Sequence, residues 1–172
     1  MEGYLMEFGY ETYKGFIDEI LAGLDMTFGD DVLSVALFGS IARGTAKKDS
    51  DIDLLIIHNE VSCDPLKKFV DMQLEIENGI AYNELRAKDF YPCLSPIFMT
   101  PDEVSIKPLI LLDIMDHGLI LKDENGILLD KIQKLKKRLE ELGSQKIVFE
   151  DSSWAWDLKP DWKPGEVIEI TL

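Results

Sequence analysis

Apolar residues recur along this chain with two spacings. Across Tyr10–Leu24, Phe16, Ile17, Ile20, Leu21 and Leu24 fall at helical intervals with polar residues between them, which predicts an amphipathic helix ending near Gly29. Val32–Phe38 is a short, mostly apolar run stopped by Gly39 and reads as a buried strand. Asp51–Ile57 reads as a second strand with two acids at its start. Asp64-Pro65 opens a helical stretch reaching about Lys88, with Asp64 as N-cap and Pro65 in the first turn. Cys93–Thr100 reads as a third strand, and Pro96 places it at a sheet edge. Thr100 and Glu103 form a capping box that starts a helix running to Gly118, and Pro108 kinks or splits that helix. Leu119–Leu121 is a brief extended piece before the turn Asp123-Glu124-Asn125-Gly126, and Ile127–Leu142 is a further helix. The tail beyond Gly143 carries all three tryptophans, with extended segments at Lys146–Phe149 and Glu166–Ile170.

This order of elements predicts an α+β fold: a small mixed sheet flanked by helices, with a helical and extended appendage at the C-terminal side. Met1–Asp116 is the expected main domain and His117–Leu172 the extension.

Composition narrows the classes. The 172 residues are 46% apolar and 30% charged, with a formal charge of −15, which suits a folded domain. No window approaches the roughly 20 uninterrupted apolar residues of a membrane span. Met1–Tyr10 holds two acids and no base, so no secretory signal is read there. Cys63 and Cys93 form no CxxC pair, which points to a reducing cytoplasm and away from a disulfide framework or a structural zinc site. Met1–Asp31 holds eight acids against one lysine, and Leu139–Leu172 eight against three. The centre is nearly balanced, with 17 acids and 14 bases. Such a charge opposes adsorption to nucleic acid. Any phosphate chemistry is therefore local and uses a metal ion. The basic run Lys131–Arg138 reads as a solvated helix face, His58 as structural or surface, His117 as a favourable charge at a helix end, and Trp154 with Trp156 as cover for the core.

The informative stretch is Phe38-Gly39-Ser40-Ile41-Ala42-Arg43-Gly44, followed by Asp49-Ser50-Asp51-Ile52-Asp53. A strand ending in Gly-Ser with a helical turn after it presents free backbone N–H groups, and Gly39 lets a ligand approach closely. The Ser40 hydroxyl adds a donor, and Arg43, one turn on, is placed to reach the same anion. Asp51 and Asp53 share one face of a strand roughly 7 Å apart, an oxygen-rich pair that suits Mg²⁺. Ten residues separate Ser40 from Asp51. If the two strands are adjacent and antiparallel, the anion site and the metal site meet at one end of the sheet. That juxtaposition defines a nucleoside triphosphate site.

Gly39-Ser40-x-x-Arg43-Gly44 with Ser50-Asp51-x-Asp53 resembles the signature of the polymerase-beta-like nucleotidyltransferases, in the small, mostly prokaryotic branch of minimal nucleotidyltransferases. The tail is similar to those of archaeal members. The resemblance implies transfer of a nucleoside monophosphate from Mg·NTP to an acceptor, with pyrophosphate leaving. Gly39, Ser40 and Arg43 would bind the nucleotide, and Asp51 and Asp53 would hold one or two Mg²⁺ ions as the catalytic carboxylates. The family adds a third carboxylate on the following strand. Here that strand has no acid: Ser95 occupies the place, and Asp89, Glu75, Glu77 and Glu84 are the nearest candidates. A HEPN-type protein would be the acceptor; the alternative reading is a nucleotide-binding antitoxin or regulatory subunit that partners a HEPN-type protein, with weak or no catalysis.

Overall fold

The structure, a computed structural model, describes residues 8–59, 64–150 and 153–172. Cys63 and most of the segment read for a leader lie outside them. Cys93 is a free, exposed thiol.

The apolar stripe near the start forms helix α1, Tyr10–Phe28, which buries Tyr13, Phe16, Ile17, Ile20, Leu24 and Phe28. Gly29 ends it with φ +56, a conformation that costs glycine little. Strand β1 is Val32–Phe38, short helix α2 is Gly39–Arg43, and strand β2 is Ile52–His58. Helices α3 (Pro65–Ile76) and α4 (Ile80–Arg86) precede strand β3, Leu94–Met99. Helices α5 (Pro101–Ile106) and α6 (Leu111–His117), strand β4 (Leu119–Asp123) and helix α7 (Ile127–Leu142) come next, and then strands β5 (Gln145–Val148) and β6 (Trp154–Asp157).

Four strands make one sheet in the order β3-β2-β1-β4. β1 runs antiparallel to both β2 and β4, whereas β2 and β3 are parallel, so the sheet is mixed. β3 lies at an edge, where Pro96 costs no ladder bond to a further strand. β5 and β6 form a separate antiparallel hairpin.

Alternation along the strands divides the core between the two faces of the sheet. Val35, Leu37, Ile52, Leu54 and Ile56 pack with α1 and with Phe69 of α3. Ala36, Leu55 and Ile57 pack on the other face with Leu111 and Ile114 of α6 and with Leu128, Ile132, Leu135 and Leu139 of α7. Trp156, Leu158, Ile170 and Leu172 border this second cluster. The division expected between residues 116 and 117 falls at the last residue of α6, and residues on both sides of it share one sheet and one core.

The local signals at 64–65, 100–103 and 108 act as their chemistry dictates. The Asp64 carboxylate accepts the Leu66 N–H at 3.0 Å. Thr100 and Glu103 make both bonds of the capping box. Pro108 separates α5 from α6 through the 3-10 turn Pro108–Ile110. Two expectations need correction. The helical stretch 64–88 is broken at Glu77-Asn78-Gly79, because Glu19 of α1 reaches in and its Oε1 accepts the Ala81 N–H at 3.1 Å, starting a new helix there. Glu166–Ile170, read as extended, forms no strand with the other described residues; Lys159 Nζ and the Lys163 N–H hold the Glu166 carboxylate at 2.7 and 3.1 Å in a local turn.

Candidate active site

The antiparallel register pairs Phe38, the last residue of β1, with Asp53 of β2. The Gly-Ser corner therefore stands directly beside the acidic strand. Gly39 has φ +73, and a methyl group built there would come within 2.0 Å of Asp53 Oδ2. Two independent constraints thus require glycine: the left-handed backbone, and the carboxylate pressed against its Cα. After this bend α2 begins with no side-chain cap, so its first N–H groups are free to meet an anion at the Ser40 end.

The loop from α2 to β2 is fastened on several sides. Phe8 and Ala46 form a β-bridge. Tyr13 Oη donates to the Lys47 carbonyl at 2.7 Å, and the Tyr91 N–H donates to the Lys48 carbonyl at 2.8 Å. The Ser50 hydroxyl accepts the Lys47 N–H at 2.8 Å. These bonds deliver Asp51, exposed, to the mouth of the strand and Asp53, half-buried, one step further in. The Tyr13 hydroxyl's pKa is raised, first by burial and then by the Asp49 charge.

Asp53 has the most informative electrostatics of the site. Burial pushes its carboxyl above the usual carboxylate range, and the charges of Asp51 and Asp113 add to the rise. A hydrogen bond from Ser95 and the Arg43 guanidinium act in the opposite sense. Ser95 is the residue paired with Asp53 across the parallel β2–β3 ladder. A hydroxyl-bearing residue thus stands beside Asp53 in the ladder, where a third carboxylate was sought.

The other acids considered for that place are committed elsewhere. Asp89 lies 3.7 Å from Lys48 Nζ. Glu77 accepts a bond from Gln73 at 2.6 Å. Glu75 and Glu84 are exposed on α3 and α4, whose buried residues belong to the core of the opposite sheet face. Among the described residues no group of three or more His, Cys, Asp or Glu side chains converges to hold a metal ion. The donor set still fits one divalent ion. Two carboxylates, one lifted by burial and then by its neighbour's charge, open beside amide donors that would bring phosphate oxygens to complete the shell.

Asp113 is the residue that sequence reasoning missed. Both of its oxygens accept from Arg43 Nη1 at 2.9 Å. Arg43 is thereby tied to α6, 70 residues away in sequence, and its charge is held beside Asp53. No local motif marks Asp113; the only signal was that a half-buried arginine needs an anion.

Lys47 is exposed, and Lys48 turns toward Lys88 and the Phe90 ring. His58 is buried, its Nδ1 within 2.5 Å of the Asn59 carbonyl, and packs edge-on against Phe98. No helix among the described residues is long and apolar enough to cross a membrane.

The chain belongs to the nucleotidyltransferase domain family, whose model matches residues 17–153. It is a nucleotidyltransferase on that ground, with the small mixed sheet flanked by helices that its sequence predicts. It is similar to "Putative protein adenylyltransferase MJ1305" of Methanocaldococcus jannaschii, 29% identical over 150 residues that cover 84% of this chain and 93% of that protein. Among solved structures, a mutant of the toxin–antitoxin MntA–HpeT aligns with a TM-score of 0.42 and 15% identity, covering 73% of this chain and 91% of that one. A toxin–antitoxin structure with AMP-PNP aligns with a TM-score of 0.42 and 16% identity, over the same shares.

Proposed function

We propose that the chain transfers an adenylyl group from Mg·ATP to a hydroxyl group on a protein. Gly39 and Ser40 hold the phosphates, Arg43 supports them, and Asp51 and Asp53 ligate Mg²⁺ as the catalytic carboxylates. The observation that supports this reading is the close approach of the Asp53 carboxylate to the Gly39 backbone, where an added Cβ would meet Oδ2 at 2.0 Å. The choice of a protein acceptor and of ATP rests on the name of the archaeal relative. When bound, the ion would neutralise the phosphates and polarise them.

In the transfer the acceptor oxygen bonds to the α-phosphorus and the α–β bridging bond breaks. Pyrophosphate leaves with the electron pair, and the hydroxyl proton passes to solvent. The chain's own part is to hold the triphosphate at the corner and to keep Arg43 aligned through Asp113. The acceptor is a cytoplasmic partner protein of the HEPN type, by the family resemblance.

The serine at position 95 favours a second reading. Without a third carboxylate the chain would bind nucleotide and partner as an antitoxin or regulatory subunit, with little turnover. ATP labelled at the α-phosphorus, incubated with Mg²⁺, this chain and the HEPN-type protein, separates the two. Label moves to the partner if the first reading holds, and Asp51→Asn and Asp53→Asn each cut the transfer by at least about 100-fold. Nucleotide binding and complex formation without label transfer would establish the second. A wild-type melting curve that Mg·ATP leaves unchanged would sink both.

A further inference from the structure

The C-terminal hairpin reaches back to the phosphate corner. A cavity of about 640 Å³ is lined by Arg43 and Thr45 from the α2 loop, His117 from the end of α6, and Lys146, Val148 and Trp154 from β5 and β6. Thr45 adjoins Ser40 directly, its N–H donating to the Ser40 carbonyl at 3.0 Å. The cavity wall is thus bonded to the backbone of the proposed phosphate corner, and Arg43 belongs to both.

Its charge is unusual for this molecule. The chain carries −15 overall, yet among the described residues the lining has an arginine, a lysine and a histidine and no acid. The acids that balance the cations stand outside the lining: Asp113 behind Arg43, and Asp116, whose Oδ2 is 2.7 Å from Lys146 Nζ. Both cations keep donors for another anion. Arg43 spends only Nη1 on Asp113, leaving Nε and Nη2 outside that pair. Lys146 Nζ lies 4.7 Å over the Trp154 ring, which fixes its direction while an ammonium still has hydrogens to give.

The hairpin is held firmly enough to serve as a wall. Ser144 Oγ donates to the Leu158 carbonyl at 2.6 Å, and Trp156, opposite Lys146 in the ladder, packs against the core of α6 and α7.

We propose that this hairpin completes the nucleotide site: Lys146 and His117 join Arg43 in holding the terminal phosphates of the nucleoside triphosphate and then the departing pyrophosphate. The inference rests on the nucleotidyltransferase reading above and adds to it a second cationic wall from the tail. A dense anion of several charges suits such a wall, because each charge-assisted bond it accepts is stronger than a neutral one. A nucleobase or a neutral acceptor side chain would offer the spare donors of both cations no anion.

Isothermal titration of the full chain with Mg·ATP, Mg·pyrophosphate and AMP tests this. Removing the ammonium alone would strand Asp116, so the variant is Lys146→Met with Asp116→Asn, alongside Lys146→Arg. The double variant should bind Mg·ATP and Mg·pyrophosphate about tenfold more weakly and AMP as before, whereas Lys146→Arg should keep most of the affinity. Unaltered Mg·ATP and Mg·pyrophosphate binding by the double variant, with ligand-free melting at the wild-type temperature, would overturn the inference and leave the nucleotidyltransferase reading standing. An equal loss for AMP would also overturn it, since AMP lacks the terminal phosphates. If the wild type binds no Mg·ATP, the reading beneath the inference fails with it.

Discussion

Asp53 is held at a cost to the fold. Its carboxyl sits against the Gly39 backbone, and burial together with the Asp51 and Asp113 charges raises its pKa. The folded chain therefore binds this proton more tightly than the unfolded chain does. The stability it brings is full below the unfolded carboxyl range and is lost as pH rises through the raised folded value. The penalty grows as the carboxyl ionises with rising pH, so Asp53→Asn should melt above the wild type at pH 7, although it should lose Mg·ATP binding. The gap between variant and wild type should shrink as pH falls below the ordinary carboxylate range. Thermal melts at pH 7 and near pH 3 would measure it, and a variant less stable than wild type at pH 7 would refute the assignment of burial as the dominant cause. The pair of aspartates and the Gly-Ser corner were readable from sequence because period two and a glycine stop are local rules. Asp113 was not, since its whole role is a bond to Arg43 on a distant element.

At the scale of elements, helices and strands obeyed their local signals until another element intervened. The caps at Asp64 and Thr100 and the break at Pro108 depend on residues within a few positions of one another, and each was legible. The break between α3 and α4 depends on Glu19, 62 residues from the Ala81 N–H that it accepts, and no local pattern announces it. The same limit applies to β3. Its sequence shows a strand without an acid, but only the ladder shows that Ser95 faces Asp53. That register makes Ser95→Asp the variant that would restore a three-carboxylate cluster. Three like charges side by side should lower the metal-free melting temperature, and a divalent ion should then raise it by more than in the wild type. Melting curves with EDTA and with Mg²⁺ would read both effects. If Mg²⁺ shifts the variant no more than the wild type, residue 95 does not point into the metal site.

For the whole molecule, the question is whether the tail beyond Asp116 is an appendage or part of the body. The sequence suggested a boundary there because composition changes near Gly143 and the motif lies far upstream. The structure shows Leu119 and Ile120 paired with Leu37 and Ala36, and Leu128, Ile132, Leu135 and Leu139 of α7 closing the sheet face that also carries Leu55, Ile57 and Asp53. Burial of a large aliphatic side chain is worth about 1.5–3 kcal/mol. Four of them together rival the total stability of an ordinary domain, about 5–15 kcal/mol. A chain ending at Asp116 should therefore show no cooperative thermal transition and should associate through its uncovered face. A chain ending at Gly143 keeps β4 and α7 and loses only the hairpin and the residues after it. It should melt cooperatively at a lower temperature, because Trp156, Leu158, Ile170 and Leu172 no longer border the core. That shorter chain would also lack Lys146 and Trp154, so its affinity for Mg·ATP should fall while AMP binding persists. A cooperative melt from residues 1–116 would make α7 dispensable and the two sheet faces independent, contrary to the core that β1, β2, α6 and α7 share.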